Sequence, residues 1–124
     1  MPSAATGSAM RRGEIRVVDL NPTIGSEADN RRPAVIVSND GANGTAARLG
    51  RGVVTVVPIT SNVTRVFPFQ VLLPAADAGL RADSKAQAEQ IRSVDVTRVG
   101  DRVGALTPEL VAALDEAIRL QLGL

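Results

Sequence analysis

Between Gly13 and Leu73 the chain alternates short β-branched segments with clusters of turn residues, and two of those segments are almost wholly apolar: Pro33-Ala34-Val35-Ile36-Val37-Ser38 and Gly52-Val53-Val54-Thr55-Val56-Val57-Pro58-Ile59. A segment with no polar face needs cover on both sides. It belongs in the middle of a curled sheet or beneath a partner subunit, which points to a dimer. With Glu14 to Asp19 and Phe67 to Leu73 as further strands, the pattern reads as a small barrel or sandwich.

The connections Asn21 to Arg32 and Asn39 to Arg51 read as long polar loops, the places on a small barrel where function sits. Ser84 to Val94 is expected to continue the sheet with Ile91 and Val94 inward, against the helical propensity of Lys85 to Gln90. Val96 to Val99 reads as a single turn and Arg102 to Leu106 as a short segment. As strand residues, Phe67 and Phe69 are expected in the core rather than on a binding platform. Thr107 is a good N-cap, Pro108 suits the first helical position and Glu109 complements the helix dipole, so a helix starts there. Leu110, Leu114, Ile118 and Leu122 give it one apolar stripe to lay on the sheet.

Composition narrows the chemistry. The 124 residues include no His, Cys, Trp or Tyr, which removes disulfides, thiolate zinc sites, imidazole bases and Ser-His triads. The acidic residues are scattered and match no D-x-D-x-D-G loop, so neither a metal nor another cofactor is expected. Net charge is +1, and all but one of the 14 basic residues are Arg, the exception being Lys85. Such a chain binds nucleic acid through a local patch, if at all. Residues 1–10 read as a disordered extension and 11–124 as one domain. No apolar run approaches 18 residues, which makes a membrane partner unexpected and the cytoplasm the expected location.

RNA brings its own nucleophile, the 2′-hydroxyl, so Arg and a carboxylate suffice to cleave it; composition permits this without selecting it. The first loop delivers Arg31 and Arg32 to a strand start, and Pro33 biases Arg32 toward an extended backbone from which it projects rigidly. Alternatively Arg32 is a solvated loop residue paired with Glu27 or Asp29. Thr60-Ser61-Asn62 is either a cradle for phosphate oxygens or an ordinary strand-end turn. Glu89-Gln90-Ile91-Arg92 offers groups that read base edges, or only the polar face of a strand.

The order of these pieces is more specific than any one of them. Arg12-Gly13-Glu14-Ile15, Val18-Asp19-Leu20, Gly25-Ser26-Glu27, Arg32-Pro33-Ala34-Val35-Ile36-Val37-Ser38-Asn39-Asp40, Val57-Pro58-Ile59-Thr60-Ser61, Glu89-Gln90-Ile91-Arg92-Ser93 and Leu114-Asp115-Glu116-Ala117 together resemble the MazF/PemK toxins over roughly residues 11–122. The resemblance implies a homodimer with a curled, SH3-like antiparallel barrel and a C-terminal helix, mainly β with a small α content. It implies a metal-independent, sequence-specific endoribonuclease that leaves a 2′,3′-cyclic phosphate and a 5′-hydroxyl, with a MazE-like antitoxin as partner.

By the same resemblance Arg32 and Thr60 are the catalytic Arg and Thr, with Glu27 as candidate base. Ser26, Arg31, Ser61, Asn62, Gln90 and Arg92 are expected to contact RNA. Arg16 stands where relatives often carry an aromatic; it either stacks its guanidinium on a base or faces solvent. Two other classes compete: a gyrase-binding toxin like the CcdB relatives, and a non-catalytic RNA-binding barrel.

Overall fold

The computed structural model describes residues 10–124. The expected disordered extension, residues 1–10, lies outside them except for Met10. That residue is buried at 2% exposure in the core, so packing reaches at least one residue further upstream than expected.

Seven strands are described: β1 (Glu14–Asp19), β2 (Arg31–Ile36), β3 (Val53–Thr60), β4 (Gln70–Leu73), β5 (Ser84–Gln87), β6 (Arg92–Asp95) and β7 (Val99–Ala105). They form one antiparallel sheet in the order β4-β5-β3-β2-β1-β7, with β6 paired to β3 off that path. The helices are α1 (Asp40–Leu49), α2 (Ala75–Ala78) and α3 (Pro108–Leu122).

The dry strands are covered within one chain. On β2, Ala34 and Ile36 enter a cluster with Val18, Val54, Val56, Val94 and α1's Ala46 and Ala47, while Val35 enters a second with Ile15, Val57, Ile59, Leu73 and α3's Leu114 and Ala117. Alternation therefore sends successive side chains of a central strand into two cores on opposite faces. Apart from Val53 at the start of β3, which is 60% exposed, these strands need no partner subunit, so their dryness is not by itself an argument for a dimer.

Pro58 sits in the middle of β3 without breaking it. On one edge β3 pairs β6 as far as Val56, and from Ile59 onward it pairs β5, so Pro58 occupies the changeover, where its missing N–H costs no ladder bond.

Among the described residues no ladder joins β4 to β7, and the sheet curls without closing. Helix α2 spans part of that gap: a Cβ added to Gly104 of β7 would lie 2.1 Å from the Ala78 carbonyl oxygen. Because the obstacle is backbone, Gly104→Ala is expected to cost about 1–3 kcal/mol as an overpacking change. A urea melt of the variant against wild type checks it; an unchanged midpoint would mean that α2 is not seated on β7.

Two elements depart from expectation. The polar stretch from Asn39 is a helix, capped by the Asn39 side chain accepting from the Ala42 amide and ended by Gly50 at φ 66. The three-residue spacing of cap and amide and the C-terminal glycine are helix signals that the Gly and Asn content of α1 masks. The expected strand over 84–94 is broken by a 3-10 turn at Ala88–Gln90, so Val94 faces one core and Ile91 packs on the other. A second such turn at Val96–Arg98 opens on Asp95, whose carboxyl lies below the usual range because it accepts from the Thr97 hydroxyl and amide. Helix α3 starts as expected at Thr107, which accepts from the Leu110 amide, but Leu122 leaves the stripe and is exposed.

Candidate active-site groove

The β2–β3 ladder ends at Ala34 opposite Pro58, and beyond it Arg32 on β2 and Thr60 on β3 continue toward the same groove. Asn30 turns the chain into β2 with a left-handed φ of 64, a conformation asparagine tolerates, and the extended backbone expected before Pro33 follows. Arg32 and Thr60 line a groove of about 820 Å³ together with Asn30, Arg31, Ser61 and Arg81. Three guanidiniums and no carboxylate line it, a setting suited to a polyanion.

Arg32 is paired with Asp29, as one reading expects, but from a strand rather than a solvated loop. Its Nε donates to the Asp29 carbonyl at 2.6 Å and its Nη2 to Asp29 Oδ1 at 3.1 Å, which fixes the plane of the guanidinium and leaves its remaining N–H groups for a ligand. The Thr60 hydroxyl accepts from the Asn62 amide at 3.2 Å, so its own O–H is left to donate.

Other expected contacts lie outside the groove lining and hold the first loop. Gln90 uses both ends of its amide, Oε1 accepting from the Ala28 amide and Nε2 donating to the Ser26 carbonyl. Arg92 donates to the Leu20 carbonyl, and Arg98, which the sequence reading passed over, to the carbonyls of Asp19 and Asn21. Glu27 Oε1 accepts from the Ile24 amide at 2.7 Å, and Asn62 Oδ1 from the Thr64 amide. Gln90 and Arg92 therefore brace the first loop in this structure.

Arg16 is a correction. Only 2% exposed, it neither stacks on a base nor faces solvent: Nε and Nη2 donate to Glu14 Oε1 at 3.1 and 3.0 Å, and Nη1 to the Gly100 carbonyl. The alternation that puts Val18 in the core carries Arg16 to the same face. Arg81 is the residue that sequence reasoning missed. It sits in a turn after α2 far from the other motifs in sequence, and only the curl of the sheet brings it to the groove.

Residues 11–122 match the PemK-like, MazF-like toxins of type II toxin–antitoxin systems. The chain belongs to this family. Over 93% of its length it is 61% identical to "Endoribonuclease MazF9" of Mycobacterium tuberculosis, covering 98% of that protein. Among solved structures, MazF from Deinococcus radiodurans superposes with a TM-score of 0.77 at 26% identity, over 93% of this chain and 97% of that one. A mycobacterial endoribonuclease in complex with its cognate antitoxin shares the fold, with a TM-score of 0.72 at 24% identity over 93% and 96% of the two chains. The MazF-like fold is thus mainly antiparallel sheet with a C-terminal helix, curled but open. No helix among the described residues is long and apolar enough to cross a membrane.

Proposed function

We propose that this MazF-like toxin cuts single-stranded RNA in the Arg32–Thr60 groove. The observation that carries the reading is Arg32 held flat by Asp29 and a Thr60 hydroxyl free to donate, both lining one groove whose charged side chains are all cations. The 2′-oxygen of one nucleotide attacks the adjacent phosphorus and the bond to the 5′-oxygen breaks, leaving a 2′,3′-cyclic phosphate and a 5′-hydroxyl. Arg32 and Thr60 donate to the phosphate oxygens as charge builds on them, with Arg31 and Ser61 holding the flanking backbone. Glu27, on the loop that ends at Asn30 and beside the groove rather than in its lining, is the carboxylate we assign to take the 2′ proton, and the departing 5′-oxygen takes one from solvent water. Ser26 of the same loop is assigned to phosphate.

RNA carrying a 2′-deoxy sugar 5′ to the cut is expected to resist at that bond while its all-ribose counterpart is cleaved, in EDTA as in its absence. Cutting of the deoxy substrate would exclude the cyclic-phosphate route. Intact RNA together with gyrase trapped on DNA would favour the CcdB-like reading.

The same proposal includes a homodimer, a cytoplasmic location and a MazE-like antitoxin whose acidic, partly disordered segment covers the groove. The antitoxin-bound mycobacterial relative and the three guanidiniums support that partner.

A further inference from the structure

The chain has two aromatic residues and buries neither in a core. Phe67 and Phe69 lie in the loop between β3 and β4, outside both hydrophobic clusters, contrary to the expectation that they are core strand residues. Their rings are parallel to within 2° with centroids 5.4 Å apart, the Arg65 guanidinium sits 5.0 Å above the Phe67 ring, and Phe67 is 39% exposed.

The loop that carries them is held from below. Lys85, the only lysine, neighbours Thr60 across the β3–β5 ladder and donates from Nζ to the Arg65 carbonyl at 2.6 Å. Gln70 accepts from the Phe67 amide and donates to Glu89 at 2.7 Å, and both Lys85 and Gln70 are buried. Two buried polar side chains thus fix a loop whose aromatic rings they do not cover. Phe69 is partly buried and Phe67 keeps 39% of its surface in water; holding that apolar surface exposed gains a folded chain little unless a flat partner arrives.

We propose that the Arg65–Phe67–Phe69 column is a stacking platform for an unpaired base of the RNA strand. The inference rests on the nuclease reading above, because the platform's loop begins at Ser61, a residue of the groove. A base offers the flat π surface that rings and guanidinium both accept, and stacking tolerates any of the four bases, so the platform supplies affinity and leaves sequence choice to other contacts.

Because the protein has no Trp, Tyr or His, Phe67 and Phe69 supply all its aromatic side-chain resonances. On titration with a single-stranded 2′-O-methyl oligonucleotide, which lacks the nucleophile, both rings are expected to show upfield ring-current shifts. Inorganic polyphosphate, a polyanion without bases, should move groove signals and leave the rings in place. Phe67→Leu and Phe69→Leu should each weaken oligonucleotide binding about ten- to a hundredfold, the usual worth of one base–aromatic stack, with Phe67→Tyr close to wild type.

Rings that stay put while groove signals shift would overturn the platform, as would leucine variants that bind as tightly as wild type. Leucine variants that bind RNA normally but lose self-association would assign the column to subunit contact instead. Cleavage by the wild-type protein is scored separately. Shifted rings with uncut RNA would keep the platform and reject the nuclease, and cut RNA with unmoved rings would do the reverse.

Discussion

Arg32→Ala is expected to slow RNA cleavage at least about 100-fold, the scale of losing one donor aimed at developing charge on a reacting centre. The loss should fall mainly on kcat. Arg31 and Arg81 still line the groove and still attract the phosphate backbone, so ground-state binding is largely kept. Arg32→Lys should recover little, because an ammonium supplies charge without the planar fork that Asp29 holds in place. Single-turnover cleavage of a defined oligonucleotide separates the two effects. A variant that cuts at the wild-type rate but binds weakly would make Arg32 a binding residue and move the chemistry elsewhere. Thr60→Ala tests the facing wall of the same site and should behave alike.

Arg16→Ala is expected to be the most destabilising of these changes. Glu14 is held by Arg16 and by the Arg11 amide, with Arg102 at 3.5 Å on its other oxygen, and it is itself nearly buried. Removing the guanidinium leaves that carboxylate with the Arg11 amide and one exposed cation, Arg102, and breaking a buried pair from one side costs about 3–5 kcal/mol. For a chain of this size that is a fall in Tm of roughly 10–20 °C. The double variant Glu14→Gln with Arg16→Met should recover much of the loss, because it removes both charges and keeps apolar bulk. A variant that melts like wild type but binds RNA weakly would restore Arg16 to the RNA surface.

The contrast between Arg32 and Arg16 shows where sequence reading succeeds. Arg32 was legible because Pro33 dictates an extended backbone beside it, a local cause. Arg16 was not, because its burial depends on where β7 crosses β1, and the pairing Arg16 opposite Arg102 is a non-local fact that only the Glu14 carboxylate makes tolerable. The same division runs through the fold. Helix α3 announces itself by its cap, its proline and its stripe, whereas α1 has the cap but carries Gly41 and Gly44, whose weak propensity is overcome by Ala46 and Ala47 packing on the sheet. Arg81 could be placed in the groove only after the sheet had curled. Gln90 and Arg92 are expected from sequence to face RNA, but their partners here are main-chain groups of a loop some sixty to seventy residues upstream, which no local pattern announces.

Those braces have a bearing on how such a toxin acquires a new target. Gln90, Arg92 and Arg98 grip the first loop through its carbonyls and one amide, groups that every amino acid carries. The grip is therefore indifferent to which side chains the loop displays. Residues 22 to 25 can drift, and with them part of the surface offered to RNA, while Asp29 keeps its hold on Arg32 and the path of the chain stays the same. A scaffold that holds its variable segment by the main chain can change what it recognises without having to relearn how to fold.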